Sequence, residues 1–165
     1  MKSSTKKGFT LVEILIVVII LGILAAIVIP QFTSASAEAR ISNLATNLQS
    51  VRSQILLYKT QHNEIYPGST SDATLFGQQM TQYSDVTGAV STTPSSSYPF
   101  GPYLQAVPVN PISGSSTVTV VDAGGTAFPV PTADGGWWFN RVTGEFRADL
   151  MPSWTKADGT VLNTL

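Results

Sequence analysis

The ionisable residue in the most unusual setting is Glu13, because the run around it from Phe9 to Ile29 is otherwise apolar (FTLVEILIVVIILGILAAIVI). An acidic side chain near the middle of a bilayer costs about 2.5–3.5 kcal/mol on insertion scales, and less toward an end. A carboxylate in apolar surroundings is tolerated when it is paired. Two interpretations stay open: the Glu13 carboxylate snorkels to the near headgroups, or a cation supplied by another chain pairs with it.

Other residues offer little catalytic chemistry. The chain has no cysteine and one histidine, which excludes disulfides, thiolate nucleophiles, Cys-ligated metals and multi-His sites. The histidine, His62, falls at the end of a helical pattern without an evident serine or cysteine partner, so we interpret it as a helix-end or packing residue. No catalytic residue, and therefore no enzyme, is predicted.

Calcium is the one cofactor for which the sequence offers candidate ligands, and these are too few for a typical calcium site. Asp122 and Asp134, with loop carbonyls, offer a few oxygens, whereas calcium takes six to eight. Asp149 and Asp158 are further along the chain in turn-like segments, where aspartate is ordinary, and no D-x-D-x-D series is present. No cofactor is predicted.

The composition places the chain among small proteins with a concentrated apolar segment. Its 165 residues suit one small domain at most, and only 12% are charged, about half the usual share. The formal net charge is −1 and no basic run is present, so the chain lacks an electrostatic footprint for nucleic acid.

The apolar run is long enough to cross a membrane. Its 21 residues make roughly 31 Å of helix, against a hydrocarbon core of about 30 Å, and exceed the apolar region of an ordinary secretory signal. Lys2, Lys6 and Lys7 precede it and the next cation is Arg40. The positive-inside rule then keeps the N-terminus cytoplasmic and puts everything after Pro30 outside the membrane.

A second helical pattern follows the apolar run. Ile41, Leu44, Leu48, Val51, Ile55 and Tyr58 recur at steps of three and four, which lays one apolar stripe on a helix. We predict one helix from about Phe9 to about Gln61, with a bend at Pro30. Gly22 and Pro30 bound a weak stretch because both residues are poor helix formers. A free coiled coil is the alternative, but fewer than three heptads support it.

The remaining residues predict short elements and turns. The long helix is expected to end at His62 to Gly68. The expected elements after it are a helix at Ala73 to Gln82, an exposed loop at Ser84 to Ser97 and a strand at Ser116 to Val121. A hairpin is then expected to pair Trp137–Asn140 with Glu145–Ala148. Gly144 takes the left-handed position of the hairpin loop. At least one of Trp137, Trp138 and Phe139 is expected in the core, since alternate strand residues point to opposite faces. The tail, Met151 to Leu165, has room for a last short strand.

The N-terminal residues resemble a known signal. Lys6-Lys7-Gly8-Phe9-Thr10-Leu11-Val12-Glu13 before an apolar run is similar to the class III signal of type IV pilins and type II secretion pseudopilins. The resemblance implies that a membrane peptidase cuts the Gly8–Phe9 bond and methylates the new amine of Phe9. It also gives Glu13 a partner, namely the protonated amine of Phe9 on its own chain or on a neighbour in a filament.

Further segments resemble the major (G-type) pseudopilins: Leu48–Ile55 with Tyr58, Tyr66-Pro67, the Gly-Pro-Tyr-Leu and Pro-x-Asn-Pro segments, and Gly136–Asn140 with Thr143–Glu145. The implied fold is α+β, a long N-terminal helix packed on a small antiparallel sheet. The implied organisation is a cleaved leader (1–8), a transmembrane helix (9–29), its amphipathic half (30–63) and a loop and β-sheet periplasmic head (64–165). The chain departs from the family in lacking cysteine for the C-terminal disulfide of typical pilins and a recognisable Asp-rich calcium loop.

Three functions stay open at this stage. The first is a single-pass inner-membrane protein that assembles into the periplasmic filament of a type II secretion system, with the prepilin peptidase/methyltransferase, other copies of itself, minor pseudopilins and an inner-membrane assembly platform as partners. The second is a type IV pilus subunit for adhesion, motility or DNA uptake. The third is a signal-anchored periplasmic enzyme or binding protein, which requires a pocket with convergent polar groups.

Overall fold

A computed structural model describes residues 8–68, 72–122, 131, 135–156 and 158–164. The chain divides into two compact units, Met1–Ala39 and Arg40–Leu165. Helix α1 (Leu11–Gln61) contributes to both of them. The helix that the sequence predicts from about Phe9 to about Gln61 is therefore present, with its first turn beginning two residues later.

In the first unit, α1 is an exposed apolar helix of a length and composition that can cross a membrane. Pro30 lies within this helix and has no N–H to donate, so the Ala26 carbonyl lacks its usual helical donor. Beyond the proline, the Thr33 hydroxyl donates to the Pro30 carbonyl at 2.8 Å and the Ser34 hydroxyl donates to the Gln31 carbonyl at 3.1 Å. The Thr33 hydroxyl also lies 3.4 Å from the Ile29 carbonyl, but neither hydroxyl bonds the Ala26 carbonyl that the proline leaves without a donor.

The C-terminal end of α1 is closed by a left-handed turn. Asn63 and Glu64 have φ angles of 53° and 64°, and the Glu64 N–H donates to the Lys59 carbonyl at 3.0 Å. This backward bond satisfies a carbonyl that the helix end leaves without a donor, as in a Schellman motif. The stop predicted at His62 to Gly68 is confirmed.

The second unit has its core along the predicted apolar stripe. Leu44, Leu48, Val51, Ile55 and Tyr58 are each at most 1% exposed, and Ile41 packs against them at the edge. The facing side of the core comes from the short helix α2 (Ala73–Thr81) and from the strands. Helix α2 matches the element predicted at Ala73 to Gln82, and its first turn is capped by the Asp72 carboxylate, which accepts from the Thr74 N–H at 2.7 Å.

The strands form two small sheets. β1 (Tyr83–Ser84) pairs antiparallel with β2 (Val90–Ser91), while β3 (Val118–Val121), β4 (Trp137–Asn140) and β5 (Phe146–Ala148) form a second sheet in the order β3-β4-β5. The predicted α+β class, a long helix with a small sheet, is confirmed. So is the hairpin β4–β5, whose loop places Gly144 at a φ of 77°. All four residues of β4 are buried, so both faces of this central strand are covered.

Three details differ from the sequence predictions. β3 pairs with β4 in parallel rather than antiparallel, an arrangement that requires a connection of about a dozen residues or more, and the segment between Val121 and Trp137 is long enough. The segment predicted as an exposed loop, Ser84 to Ser97, contains β2 and the end of β1, closed by a turn in which Asp85 accepts from Thr87 and Ala89. In the described part of the tail, a bridge joins Thr155 to Val161 and a 3-10 helix spans Leu162–Thr164, where the sequence left room for a strand.

Candidate functional site

The predicted N-terminal site residues lie together in the first unit. Gly8, Phe9, Thr10 and Glu13 line one cleft of about 270 Å³. Phe9 is 83% exposed, and a Cβ atom added at Gly8 meets nothing within 4 Å. Among the described residues, nothing therefore crowds the peptide bond between Gly8 and Phe9. The lysines of the predicted leader, Lys2, Lys6 and Lys7, lie outside the described residues.

Thr10 and Glu13 cap the first turn of α1 reciprocally. The Thr10 N–H and the Thr10 hydroxyl each donate to Glu13 Oε2 at 2.8 Å. In return, the Glu13 N–H donates to the Thr10 hydroxyl oxygen at 3.3 Å. This is a capping box, the T-x-x-E pattern that satisfies donors at a helix start. The sequence analysis missed it, although Thr10-Leu11-Val12-Glu13 contains the full pattern.

The capping box leaves half of the carboxylate available. An ionised carboxylate has about four acceptor sites, and both Thr10 donors use Oε2. Among the described residues, no donor reaches Oε1, and none of the ion pairs involves Glu13. Negative charge in the first turn is favourable because the helix dipole is positive there. The site can therefore accept one more donor, such as an ammonium group, without losing its cap.

The other two residues named for the N-terminal helix are apart from this cleft. Gly22 lies within α1 and a Cβ atom added there meets nothing within 4 Å. Pro30 lies a further two turns along the same helix. The flexibility predicted between Gly22 and Pro30 stays a prediction.

His62 packs in the second unit. Its ring stacks on the Tyr58 ring at 3.7 Å, Nδ1 lies 2.8 Å from the Tyr58 carbonyl oxygen, and Nε2 lies 3.0 Å from the Ser84 hydroxyl. The expectation that no serine partners His62 is wrong, because β1 brings Ser84 to it from a distant part of the chain. Both residues are buried, and burial lowers the pKa of His62. Since the pair has no access to a substrate, it stabilises the end of α1 against β1.

The acidic residues proposed as calcium ligands form no cluster among the described residues. Asp122 forms an ion pair with Arg141, and Asp134 lies outside the described residues. Asp158 accepts from the Thr160 N–H at 2.9 Å within a turn. In the part of the chain that the structure describes, no three His, Asp or Glu side chains are grouped so as to hold a metal ion.

Comparison with known proteins finds the same N-terminal feature. Residues 3–29 match the family model described as the prokaryotic N-terminal methylation motif. The chain is 38% identical over 69 residues to the type II secretion system core protein G of Pseudomonas aeruginosa, covering 42% of the chain and 48% of that protein. It is 31% identical over 101 residues to the type IV major pilin protein PilE of Neisseria gonorrhoeae, covering 58% and 60%.

A third relative, the type IV major fimbrial protein FimA of Dichelobacter nodosus, is 46% identical over 52 residues, covering 32% of the chain and 33% of that protein. The matched stretch thus spans between a third and three fifths of these relatives. No solved structure matches the chain.

The fold and the site define a class of protein: one in which a membrane-length helix, with an acidic residue in its capped first turn, continues into a small α+β unit. The chain carries the N-terminal methylation motif and is similar, over part of its length, to type IV pilins and to a type II secretion core protein.

Proposed function

We propose that the chain is a structural filament subunit, the major (G-type) pseudopilin of a type II secretion system. The observation that carries the proposal is the position of Glu13, an acid in a membrane-length helix whose Oε1 is unpartnered beside Phe9. An acid in a membrane segment is costly and is usually functional, and here its function would be to pair with a cation when the subunit leaves the lipid and assembles.

The cation arises by processing. Hydrolysis of the Gly8–Phe9 bond by the prepilin peptidase/methyltransferase releases an amine on Phe9, and N-methylation leaves that amine able to carry a proton. Gly8 presents no side chain and Phe9 is exposed, so the bond is accessible to a protease. The lysine-rich leader holds this bond at the cytoplasmic face under the positive-inside rule.

The new ammonium pairs with Glu13 of a neighbouring copy. Bringing an ammonium to the free Oε1 pairs two charges that each carry a solvation penalty in apolar surroundings. Thr10 continues to donate to Oε2, so pairing needs no rearrangement of the cap. The pair registers one helix against the next, which is a structural role, and the chain is not an enzyme.

The proposal includes a location and partners. The precursor is a single-pass inner-membrane protein with a cytoplasmic N-terminus and a periplasmic head. It assembles with copies of itself and with minor pseudopilins on an inner-membrane platform, and it requires neither a cofactor nor nucleic acid.

A second candidate is a type IV pilus subunit, favoured by the matches to pilins of Neisseria and Dichelobacter. Gene deletion in the native host distinguishes the two functions. Loss of secreted proteins without loss of surface filaments supports the secretion subunit, and loss of surface filaments seen by electron microscopy supports the pilus subunit.

The role of Glu13 is tested separately. We expect Glu13→Val, expressed without the wild-type copy, to be inserted and cleaved but to lose assembly, and Glu13→Asp to be intermediate because its side chain is shorter. Assembly of Glu13→Val at the wild-type rate would show that the carboxylate is only a snorkelling group.

A further inference from the structure

The small sheet β1–β2 is attached to the rest of the second unit through side chains. Its strands have two residues each, and among the described residues they pair only with each other and with Phe100. A two-stranded hairpin of this length is at best marginally stable by itself. The position of the sheet against the helices therefore depends on tertiary contacts.

Two buried side chains hold the sheet to the two helices. His62, at the end of α1, has Nε2 at 3.0 Å from the Ser84 hydroxyl oxygen. Gln79, in α2, donates from Nε2 to the Gly88 carbonyl at 2.8 Å. His62 is 1% exposed and Gln79 is 3% exposed. An amide does not titrate, whereas an imidazole takes up a proton near neutral pH. Of these two contacts, the one to α1 can therefore respond to pH.

The hydrogen bonds of His62 fix its tautomer. Nδ1 lies 2.8 Å from the Tyr58 carbonyl oxygen, and a carbonyl oxygen can only accept, so Nδ1 carries the hydrogen. In the neutral ring Nε2 then has a lone pair, to which the Ser84 hydroxyl donates. A proton taken up at Nε2 makes both ring nitrogens donors, so the Ser84 hydroxyl must rotate and accept from Nε2. Protonation thus reverses this hydrogen bond and adds a positive charge to a buried contact.

The surroundings of the ring oppose this charge. The His62 ring stacks on the Tyr58 ring at 3.7 Å and lies 5.3 Å from the Phe100 ring. Among the described residues, the titratable groups that face it are Tyr58, Tyr103 and Asp85. Burial, the largest effect, lowers the pKa of His62, although the Tyr58 carbonyl and Asp85 favour the charged ring. The ring therefore binds a proton more readily when it is released from these contacts.

We propose that the contact between His62 and Ser84 is a pH-sensitive switch, which releases the sheet β1–β2 from the end of α1 in acid. In the released state the His62 ring reaches water and keeps its proton, while Gln79 still holds the turn at Gly88 to α2. The opening is local, and the core between α1 and the three-stranded sheet stays in place. The switch does not depend on the proposed role as a filament subunit.

The test measures amide hydrogen exchange by NMR on the full-length chain in detergent micelles. The N–H groups of Ser84 and Phe100 report release, because each donates to the other's carbonyl, at 2.9 and 3.1 Å, and a released hairpin is too short to keep these bonds. Their protection factors should be lower than that of the Trp137 N–H, which donates to a carbonyl of the three-stranded sheet's first strand segment, Thr117. They should also fall up to about tenfold from about pH 7.5 to about pH 5.5, since the ordinary pKa of about 6.5 applies only in the open state.

The control amide in the same experiment is the Lys156 N–H, which donates to the Thr160 carbonyl at 2.8 Å in the tail. Opening of that turn leaves His62 buried, so its protection factor should not change with pH. If Ser84 and Phe100 were protected as strongly as Trp137, they would exchange only when the whole unit unfolds, and the switch would be overturned. Protection factors of Ser84 and Phe100 that do not change with pH would also overturn it.

Two variants assign the response to a side chain. His62→Gln cannot titrate, so the protection of Ser84 and Phe100 should no longer depend on pH over this range. The matched control, Asp85→Asn, removes the facing carboxylate but keeps an oxygen for the two turn N–H groups that donate to it, so the response should remain. Retention of the response in His62→Gln, or its loss in Asp85→Asn, would contradict the assignment to His62.

The wild-type chain gives a further check that needs no substitution. The NMR shifts of the two ring nitrogens of His62 should show a neutral ring with its hydrogen on Nδ1 at about pH 7.5, because Nδ1 faces the Tyr58 carbonyl oxygen. A ring with its hydrogen on Nε2, or one already protonated at that pH, would refute the switch.

Discussion

Removal of the Leu48 side chain beyond Cβ tests whether the stripe on α1 is the core of the second unit. Leu48 is 1% exposed and lies between Leu44 and Val51 in the buried cluster. Leu48→Ala removes about three methyl or methylene groups, worth roughly 2.4 kcal/mol at about 0.8 kcal/mol each. The cavity left behind adds to this, and the expected total loss in the free energy of unfolding is about 2–5 kcal/mol.

The assay uses the fragment Gln31 to Leu165, which omits the apolar run. We expect this fragment to unfold cooperatively, because the buried cluster lies between Leu44 and Leu162. The fluorescence of Trp137, which is fully buried, should report the transition. At about 4 °C per kcal/mol, Leu48→Ala should lower Tm by roughly 8–20 °C.

Leu57→Ala is the matched control for Leu48→Ala. Leu57 is on the same helix and is 45% exposed, so its truncation should cost less than about 1 kcal/mol. If the two substitutions cost the same, the stripe is not the core. If the fragment shows no cooperative transition, the second unit does not fold independently of the membrane segment.

The remaining predictions concern processing, a backbone turn and pH. Intact-mass measurement should show a mature chain of 157 residues, from N-methylated Phe9 to Leu165. Gly8→Ala should leave the full-length precursor in the membrane. A mature chain that starts at another residue would refute the cleavage site. Gly144→Ala should destabilise the fragment by at least about 1–2 kcal/mol in denaturant titrations, because Gly144 has a φ of 77° and faces the Tyr66 ring. Burial lowers the pKa of His62, so the unfolded state binds the proton more readily and the fragment should lose stability as pH falls below about 6.5. His62→Gln should show a smaller loss over that range, and an equal loss would assign the effect to other groups.

The sequence predicted the elements that follow a local rule. The stripe from Leu44 to Tyr58 is confirmed because helical periodicity alone decides which residues share a face. The hairpin loop at Gly144 is confirmed because a left-handed position favours glycine.

The missed features depend on distant parts of the chain. The hairpin β1–β2 has two residues in each strand and a polar sequence, and Ser84 is buried by its contact with His62. The parallel pairing of β3 with β4 depends on a crossover that no local pattern indicates. The capping box is different, because its signal is local: the T-x-x-E pattern is complete in Thr10-Leu11-Val12-Glu13.

That capping box bears on the two initial interpretations of Glu13. Thr10 donates twice to Oε2, which compensates part of the carboxylate's lost hydration without any cation and makes storage in a membrane less unfavourable. The same geometry keeps Oε1 available and fixes the carboxylate at the helix start, beside Phe9. A purely snorkelling side chain requires freedom to reach water, whereas a pairing side chain benefits from a fixed position, because less conformational entropy is lost when the partner arrives. The local hydrogen bonds of Glu13 therefore favour the proposed pairing over snorkelling, since Thr10 holds the acid in place and leaves its second oxygen for an ammonium group.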